Sequence, residues 1–371
     1  MVGRYFRNAS LIQKFVVPNI VILLLLIGSV GAISYVLLQQ MLKKQAGDIL
    51  DNGYKVFLKQ VEARERAGLS VAYLVAQDPD VKRAFKLENR KLLYKYVKVR
   101  ADLEMLSGIY DLRLHFIAPP ATSFFRTWNP ERFGIDVSKF RRILVTVAQR
   151  RAPQKGIEIG LKRAIVTGAV PVVEGNNYLG AVELITPFNP ILDELKELTG
   201  MDSMMLITKK AAAHSEWAPR AEKVGDLILY YETNPLLRSI MLKSMDRPNT
   251  VFVIQNYAVI AKPVLDYSRR NIGLIILGYD LTPIVDSYKQ IGVYILMFIF
   301  VGVIFSFFVS YMVFKKYVEE PINTLIDHTE RISMGDVDQK VPVQSRDEIG
   351  RLAEAFERMR ISIKKVMDLL K

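Results

Sequence analysis

The chain of 371 residues contains no cysteine. Without a thiol it can form no disulfide, no thiolate metal site and no cysteine nucleophile. Its three histidines, His115, His214 and His328, lie in three separate regions, which argues against a histidine metal site. The sequence also lacks a glycine-rich phosphate loop and a Gly-x-Ser-x-Gly nucleophile motif. We therefore predict a protein that is not an enzyme and that binds no metal or cofactor.

Two long segments contain no charged residue. They cover residues 15–38 and 291–314, and each would extend about 36 Å as a helix, which is long enough to cross a bilayer. A buried core helix is the alternative for both segments, and a cleaved signal peptide is the alternative for the first. Both segments are long for those alternatives, so two transmembrane helices are predicted.

Basic residues flank the outer ends of both apolar segments. Arg4, Arg7 and Lys14 precede the first segment, and Lys315 and Lys316 follow the second. The positive-inside rule then places both chain ends in the cytoplasm and the part between the spans outside the inner membrane. The formal net charge of +13 comes mostly from that middle part, where basic residues are scattered among acidic ones. No basic stripe forms, so nucleic acid is not an expected partner.

Two amphipathic helices are predicted after the second span. Apolar residues repeat there at alternating spacings of three and four, as in a coiled coil. The first set is Val318, Ile322, Leu325, Thr329 and Ile332, and the second is Ile349, Leu352, Phe356, Met359, Ile363, Val366 and Leu370.

The connector between these helices carries its own signals. Gly335 breaks the first helix, Val341 and Val343 pin the connector, and Asp347 and Glu348 favour the positive N-terminus of the second helix. Two short amphipathic helices cannot bury their apolar seams alone. Pairing with a second copy would make a parallel four-helix bundle, so a homodimer is expected, and an ordinary amphipathic hairpin is the alternative.

These residues resemble the HAMP domain of bacterial chemoreceptors and sensor kinases. The matching features are Pro321 after the membrane span, the Gly335-Asp336 break, and the Asp-Glu-Ile-Gly run that begins at Asp347. The resemblance implies that Pro321, Gly335 and Glu348 couple movement of the membrane helix to packing of the bundle.

The middle of the chain is predicted to be α+β. A largely helical stretch continues from the first span to about Leu106. Alternating patterns then predict a strand in residues 111–119, a helix in 136–150 and two strands in 168–188 around a Gly-Asn-Asn turn. A second round predicts a strand in 201–210, a helix in 234–243 and three strands in 250–281.

This arrangement resembles a double-Cache sensor, a pair of PAS-like modules that follow a long helix. The first module matches one variant of that superfamily at a series of positions, namely His115, Pro119, Pro120, Ser123, Phe124, Arg126, Trp128, Pro130, Glu131, Phe133, Gly134, Gly156, Glu158 and Gly160. Thr167 departs from the variant, in which an arginine is expected in that strand. The predicted domains follow one another along the chain. Residues 1–14 are a cytoplasmic segment, 15–38 the first transmembrane helix, 39–290 the sensor, 291–314 the second transmembrane helix and 315–371 the HAMP domain. Within the sensor, the two modules cover about 107–190 and 200–282.

A ligand site is predicted in the first module, formed by His115, Arg126, Trp128 and Phe133. Arg126 could bind a carboxylate through two hydrogen bonds, Trp128 could stack on a ligand, and His115 could donate a hydrogen bond or sense pH. In the alternative, Arg126 pairs with Glu131 or Asp136, and Trp128 and Phe133 are core residues.

The sequence thus predicts a transmembrane receptor that binds a small molecule outside the cell and signals to a downstream domain or protein. We expect a chemotaxis receptor. The alternatives are the sensor part of a histidine kinase or cyclase, and a membrane-anchored scaffold without a small-molecule ligand.

Overall fold

The computed structural model describes residues 11–94, 113–342 and 347–369. The chain divides into two compact units: residues 40–285 form one, and residues up to 39 together with residues from 286 onward form the other. The first unit contains two antiparallel sheets with helices between and around them. The predicted α+β class and the repeat of two sheet modules are confirmed.

Helix α1, Leu11–Gln77, contains the first apolar segment and continues well beyond it. It stops at Asp78, whose backbone is extended because the next residue is Pro79. The Asp78 carboxylate accepts a hydrogen bond of 2.7 Å from the backbone N–H of Asp80 and so caps helix α2, Pro79–Lys86. The predicted helical stretch is therefore interrupted, and its last part, residues 95–106, lies outside the described residues.

The first sheet has the strand order β2-β1-β5-β4-β3. Its strands are β1 Arg113–Ala118, β2 Thr122–Arg126, β3 Gln154–Ile159, β4 Ala164–Glu174 and β5 Asn177–Pro187. Three of these strands were predicted, and the glycine turn between β4 and β5 is confirmed. The sequence patterns missed β2, of five residues, and β3, which at six residues is as long as the predicted β1. Helix α3, Arg142–Arg150, starts later than predicted, because turns occupy residues 138–140.

The second sheet has the order β7-β8-β6-β11-β10-β9. Its strands are β6 Asp202–Thr208, β7 Lys223–Val224, β8 Leu227–Glu232, β9 Phe252–Ile254, β10 Tyr257–Leu265 and β11 Asn271–Asp280. The four predicted strands are confirmed, whereas β7 and β8 were missed. Helix α4, Asn189–Thr199, joins the two sheets and was also missed. The helix predicted over residues 234–243 is wrong in extent, because only Arg238–Met241, α5, is α-helical between two 3-10 turns.

Both faces of the first sheet are buried. Val75 of α1 and Phe85 of α2 pack with Phe116 on one face. Ile143 and Val147 of α3 pack on the other face, in a cluster that includes Ile117 and Ala181. A strand that is buried on both faces has a nearly continuous run of apolar residues in its sequence, which explains why β4 and β5 are so rich in valine, alanine and leucine.

Helix α1 crosses the first sheet at a contact between two glycines. A Cβ atom placed on Gly68 would lie 2.8 Å from the backbone nitrogen of Gly168 in β4, and one on Gly168 would overlap the backbone of Gly68 and Leu69. Only glycine lets these two backbones approach so closely. The crossing point of helix and sheet is therefore set by two residues without side chains.

Two helices of the described residues are long and apolar enough to cross a membrane. They are α1 and α6, Thr282–Phe314, and both expose large apolar side chains. Leu25 in α1 is 69% exposed and Phe298 in α6 is 82% exposed. A helical segment that exposes apolar side chains all round suits lipid as its surroundings.

The second unit ends in two amphipathic helices. A π-helical turn at Lys315–Glu319 follows α6 and leads into α7, Glu320–Ser333. A connector then leads to α8, Glu348–Leu369. Val341 of the connector is buried as predicted, whereas the prediction for Val343 lies outside the described residues.

The apolar seam of α8 is divided between two surfaces. Ile349, Phe356 and Ile363 pack against a cluster that contains Leu325 and Ile332 of α7. The alternate seam positions Leu352, Met359 and Val366 are 48%, 40% and 55% exposed. One copy of the chain therefore covers only half of the predicted seam, and Leu370 lies outside the described residues.

We expect Gly68→Ala to destabilise the unit of residues 40–285 by about 1–3 kcal/mol, because the new methyl group meets the backbone of β4. Gly47→Ala is the matched control in the same helix, where the nearest atom would be a methyl carbon of Val251 at an ordinary 3.7 Å. That control should be neutral or stabilising by up to about 1 kcal/mol, since alanine is the better helix former. Denaturant unfolding of the full chain in detergent, followed by tryptophan fluorescence, measures both. Equal stabilisation by the two substitutions would contradict the glycine crossing.

Candidate ligand-binding site

Three polar side chains lie side by side across the first sheet. His115 of β1 is directly opposite Arg126 of β2 and directly opposite Glu183 of β5. All three are buried. Since residues two apart share a sheet face, they lie on the same face as Ile117 and Ala181, which is the face covered by α3.

His115 is held by hydrogen bonds on both ring nitrogens. Its Nδ1 lies 2.8 Å from a Glu183 carboxylate oxygen, and its Nε2 lies 2.8 Å from Ser123 Oγ and 3.3 Å from Arg126 Nε. An arginine Nε–H can only donate, so Nε2 accepts and the ring proton sits on Nδ1, which donates to Glu183. The imidazole is therefore neutral, with its proton on Nδ1, and these hydrogen bonds fix the orientation of the ring.

Arg141, directly before α3, is the charged centre of the site. Its guanidinium donates to Glu158 Oε2 at 2.7 Å and to Glu183 Oε1 at 2.9 Å. Glu158 also accepts from the backbone N–H of Ile143 at 3.0 Å. Thr167 Oγ1 lies 3.1 Å from Glu183 Oε2 and 2.8 Å from the Leu184 carbonyl. The threonine that departs from the resemblance thus takes part in holding Glu183.

Burial and these charges shift the pKa values of the groups. Burial lowers the pKa of His115 to about 4, although Glu183 opposes the shift. Burial alone would raise the pKa of Glu183, but Arg141 and His115 outweigh it and lower that pKa to about 2. Burial and the nearby charge of Arg132 lower the pKa of Arg126 to about 10. Burial raises the pKa of Glu158, against the opposing charge of Arg141. At neutral pH the site holds a neutral His115, an ionised Glu183 and charged arginines.

A cavity of about 240 Å³ opens beside this row of side chains. Arg126 reaches it with only 8% of its surface exposed, and Trp128 lies against the His115 ring at a centroid distance of 5.8 Å. Among the described residues, no acceptor lies within hydrogen-bonding distance of the two terminal amino groups of Arg126. The guanidinium thus retains the two parallel donors that a carboxylate accepts.

The turn between β3 and β4, Gly160–Arg163, forms another wall of the cavity. Its carbonyl groups face the second sheet module. Gly160 O accepts from Ser215 Oγ at 2.9 Å, and Leu161 O accepts from the backbone N–H of Glu216 at 2.8 Å. His214 Nε2 donates to the carbonyl of Ile159, just before the turn, at 2.7 Å. This wall is therefore held by the second module.

The structure brings together three of the four predicted ligand residues. His115, Arg126 and Trp128 line the cavity, whereas Phe133 does not. Phe133 is 46% exposed and lies under the guanidinium of Arg90, so it is neither a cavity residue nor a core residue. The roles of the three residues in binding stay predictions.

The alternative pairing of Arg126 does not occur among the described residues. Asp136 instead accepts a hydrogen bond of 2.9 Å from the backbone N–H of Ser138, and Glu131 is exposed and makes no ion pair with Arg126. A role for His115 as a sensor of physiological pH also does not fit its low pKa.

Sequence reasoning missed several cavity residues. Arg113, Arg132, Arg141, Lys162 and Arg163 all line it. One signal was available, because Glu158 and Glu183 each sit among apolar residues of a strand. A carboxylate in such a position needs a buried cation, but the sequence does not say which of the many arginines supplies it.

The predicted signal-coupling residues lie at helix ends in the second unit. Pro321 is in the first turn of α7, directly after the π-helical turn, in which Glu320 N–H bonds to Lys315 O, five residues back. Gly335 has φ +94 and ends α7. Glu348 is the exposed first residue of α8. Their role in signalling stays a prediction.

The second helix of this pair starts at a side-chain cap. Asp347 accepts hydrogen bonds of 3.0 Å from the backbone N–H groups of Ile349 and Gly350. The prediction that Asp347 favours this helix N-terminus is confirmed.

Comparison with known families decides the identity of the modules. A family described as the double sensory domain of two-component sensor kinases, dCache_3, matches residues 43–284, which is more than half of the chain. The chain belongs to the dCache_3 family. The HAMP domain family matches residues 320–365. The dCache_3 chain is thus a transmembrane sensory receptor in which a double-Cache sensor precedes a HAMP domain.

Curated relatives match a limited part of the dCache_3 chain. It is 33% identical over 79 residues to a putative sensory transducer protein of Acetivibrio thermocellus, covering 20% of this chain and 14% of the relative. It is 33% identical over 95 residues to the sensor protein SrrB of Staphylococcus aureus, covering 24% of this chain and 15% of the relative. The dCache_3 chain thus spans about one seventh of each relative.

Solved structures show a weaker likeness. The periplasmic domain of Vibrio cholerae LuxQ matches with 10% identity and a TM-score of 0.39, over 64% of the dCache_3 chain and 99% of that domain. The ligand-binding domain of the Campylobacter jejuni chemoreceptor Tlp3, in complex with L-valine, matches with 9% identity and a TM-score of 0.40. This match covers 65% of the dCache_3 chain and 93% of that domain.

Acidification should weaken the dCache_3 sensor through His115. The unfolded chain binds a proton near pH 6.5, whereas the folded protein resists protonation down to about pH 4. Stability is therefore present above pH 6.5 and falls as the pH falls, by about 2 kcal/mol between pH 6.5 and pH 5. Urea unfolding of the full chain at pH 7, 6 and 5 measures this loss.

His115→Asn should remove most of that pH dependence, and His328→Gln, in the HAMP domain, should leave it unchanged. Both tryptophans, Trp128 and Trp217, belong to the sensor, so their fluorescence reports its unfolding. The assignment of a neutral His115 fails if His115→Asn loses as much stability on acidification as the unsubstituted protein.

Proposed function

We propose that this dCache_3 receptor binds a small anionic molecule, a carboxylate, in the cavity of its first sheet module. One observation carries the proposal: Arg126 is buried beside a cavity, yet its terminal amino groups have no acceptor among the described residues. A buried guanidinium without an anion is costly, and a carboxylate from the ligand relieves that cost.

The surroundings of Arg126 support an anion site. His115 accepts from Arg126 Nε and so orients the guanidinium, while Ser123 and Glu183 hold the imidazole itself. Trp128 supplies an apolar surface at the same cavity. A ligand site needs this combination of an apolar wall with a few fixed polar groups.

Signalling would proceed through differential binding. A ligand that prefers one of two arrangements of the sensor shifts the population toward it, and a movement of about 1–2 Å is enough to repack a helical bundle. Helix α6 begins two residues after β11 ends and contains the second span, so it is the direct covalent route from the sensor sheet. We place the sensor outside the inner membrane and both chain ends in the cytoplasm.

The output of the receptor is proposed as chemotaxis, with a sensor kinase or cyclase as the alternative. The partial relatives, a sensory transducer protein and a sensor protein, are compatible with both. Sequencing the gene past the codon for Lys371 decides between them. A methyl-accepting helical hairpin supports the chemoreceptor, and a kinase or cyclase core supports the alternative.

The rival function is a membrane-anchored scaffold that binds a protein and no small molecule. A thermal-shift screen of the full chain against organic acids, amino acids and amines separates the two. A ligand at 100 times its dissociation constant stabilises the sensor by about 2.7 kcal/mol. A screen without any stabilising compound, together with a copurifying protein, would favour the scaffold.

Arg126→Ala should abolish the shift produced by a carboxylate that stabilises the unsubstituted receptor, because the ligand loses both parallel donors. Arg150→Ala, at the exposed end of α3, is the control and should retain the full shift. The proposed carboxylate contact is wrong if Arg126→Ala responds like the control while its melting point without ligand is unchanged.

We propose further that two copies pair through the exposed half of the α8 seam, formed by Leu352, Met359 and Val366.

The absence of native cysteine permits a clean test. Met359→Cys should form a disulfide between copies in membranes, since a disulfide needs Cα atoms within about 7 Å. Ile361→Cys, with 44% exposure on the same helix but off the seam, is the matched control and should react at least about ten times more slowly. Equal cross-linking at both positions would contradict the pairing.

A further inference from the structure

The charged residues around the cavity specify the class of ligand more closely than the carboxylate proposed above. We propose, on the basis of the function proposed above, that the ligand is a small dianion whose two negative groups are bound at opposite sides of the cavity. Arg126 takes one group, and Lys162 and Arg163 take the other.

Cationic side chains dominate the cavity lining. They are Arg113, Arg126, Arg132, Arg141, Lys162 and Arg163. Among the described residues that line the cavity, none is aspartate or glutamate. The two nearby glutamates, Glu158 and Glu183, are buried behind the wall and bonded to Arg141. Neither glutamate forms an ion pair with Lys162 or Arg163, so the positive charges of these two residues are a surplus.

That surplus is concentrated at the β3–β4 turn. Arg132 has a partner, since it lies 3.5 Å from Glu216. Lys162 and Arg163 form no ion pair with any carboxylate in the described parts of the chain. Lys162 is exposed and Arg163 is half-buried, and both face the cavity. The turn therefore presents a second, unneutralised anion site.

The two anion sites come from distant parts of the sheet. Arg126 is on the edge strand β2, whereas Arg163 directly precedes β4, three strands away in the order β2-β1-β5-β4. Adjacent strands lie about 4.8 Å apart, so the two backbone positions are separated by about 14 Å. Both sites line one cavity, so a short molecule with a negative group at each end can place one group at each site.

The same geometry disfavours a zwitterion such as an amino acid. An ammonium group needs a carboxylate or free carbonyl groups as acceptors. The carbonyls of Ile159, Gly160 and Leu161 already accept hydrogen bonds from His214, Ser215 and Glu216 of the second module. At the turn, these three carbonyls are therefore bonded to the second module, whereas Lys162 and Arg163 line the cavity and no lining residue among those described is a carboxylate.

Isothermal titration of the full chain in detergent at pH 7.5 and constant ionic strength tests the inference. The probes are dicarboxylates from oxalate to adipate, each with the monocarboxylate of the same length, and 4-aminobutyrate as a zwitterion. We expect the best dicarboxylate to bind at least about tenfold more tightly than its matched monocarboxylate, which corresponds to about 1.4 kcal/mol. The zwitterion should bind more weakly than butyrate.

Substitutions test which residues form each of the two anion sites. The double variant Lys162→Gln, Arg163→Gln should reduce dicarboxylate affinity to the level of the monocarboxylate and leave monocarboxylate affinity unchanged. Arg126→Gln should weaken both. A double substitution of Lys139 and Arg142 to Gln is the control, because these residues line a different cavity, at the junction of the two modules, and should change neither affinity. The melting point of each variant without ligand, read by tryptophan fluorescence, verifies its fold.

The results distinguish this inference from the function on which it rests. If a monocarboxylate or 4-aminobutyrate binds as tightly as the matched dicarboxylate, the proposal of a dianionic ligand is wrong. The proposal that the receptor binds a carboxylate is then still supported. If the double variant at the turn retains tight dicarboxylate binding, the assignment of Lys162 and Arg163 is overturned. If no acid of either series binds, the dianion and the anion receptor both fail.

Discussion

The pocket of the sensor depends on one buried cation, Arg141, between two buried glutamates. Glu158 and Glu183 belong to different strands, and removing the guanidinium would leave two carboxylates unpaired in an apolar interior, at a cost of about 3–5 kcal/mol. Because Arg141 immediately precedes α3, this contact also holds the helix against the sheet. Glu183 in turn fixes His115, and His115 orients Arg126. Each group of the row positions the next, so the Arg126 guanidinium is held in place beside the cavity.

The β3–β4 turn links the pocket to the rest of the sensor. Its side chains Lys162 and Arg163 line the cavity, and its carbonyls are bonded to the segment His214–Glu216 of the second module. Tyr230 of the second sheet accepts a hydrogen bond of 3.0 Å from the backbone N–H of Ala164, directly after the turn. A movement of this turn must therefore break these contacts or displace the bonded part of the second module with it.

Local patterns predicted much of the architecture. The two apolar spans, the long strands β4, β5, β10 and β11, and the break at Gly335 all carry strong signals of length, alternation or turn chemistry. Some failures fall where those signals are weak, as in the short strands β2 and β7 and in the turns that occupy residues 138–140 before α3. Strands β3 and β8 and helix α4 were missed although each has six residues or more. The seam of α8 was predicted as one surface, whereas the fold divides it because α7 covers only one side.

The sequence by itself determined that this chain has two apolar segments long enough to span a membrane, an α+β part between them and two amphipathic helices after the second, because hydropathy, strand periodicity and turn residues act over a few neighbouring positions. Its resemblance to double-Cache and HAMP domains supplied the identity of these parts. It also singled out His115, Arg126 and Trp128 as candidates. Only the tertiary structure decided which charges meet. Cross-strand register places Arg126, His115 and Glu183 in one row, and the packing of α3 brings Arg141 to them. Phe133 is left outside the cavity and the Lys162–Arg163 turn is brought into it, because contacts between residues far apart in the chain depend on the complete fold.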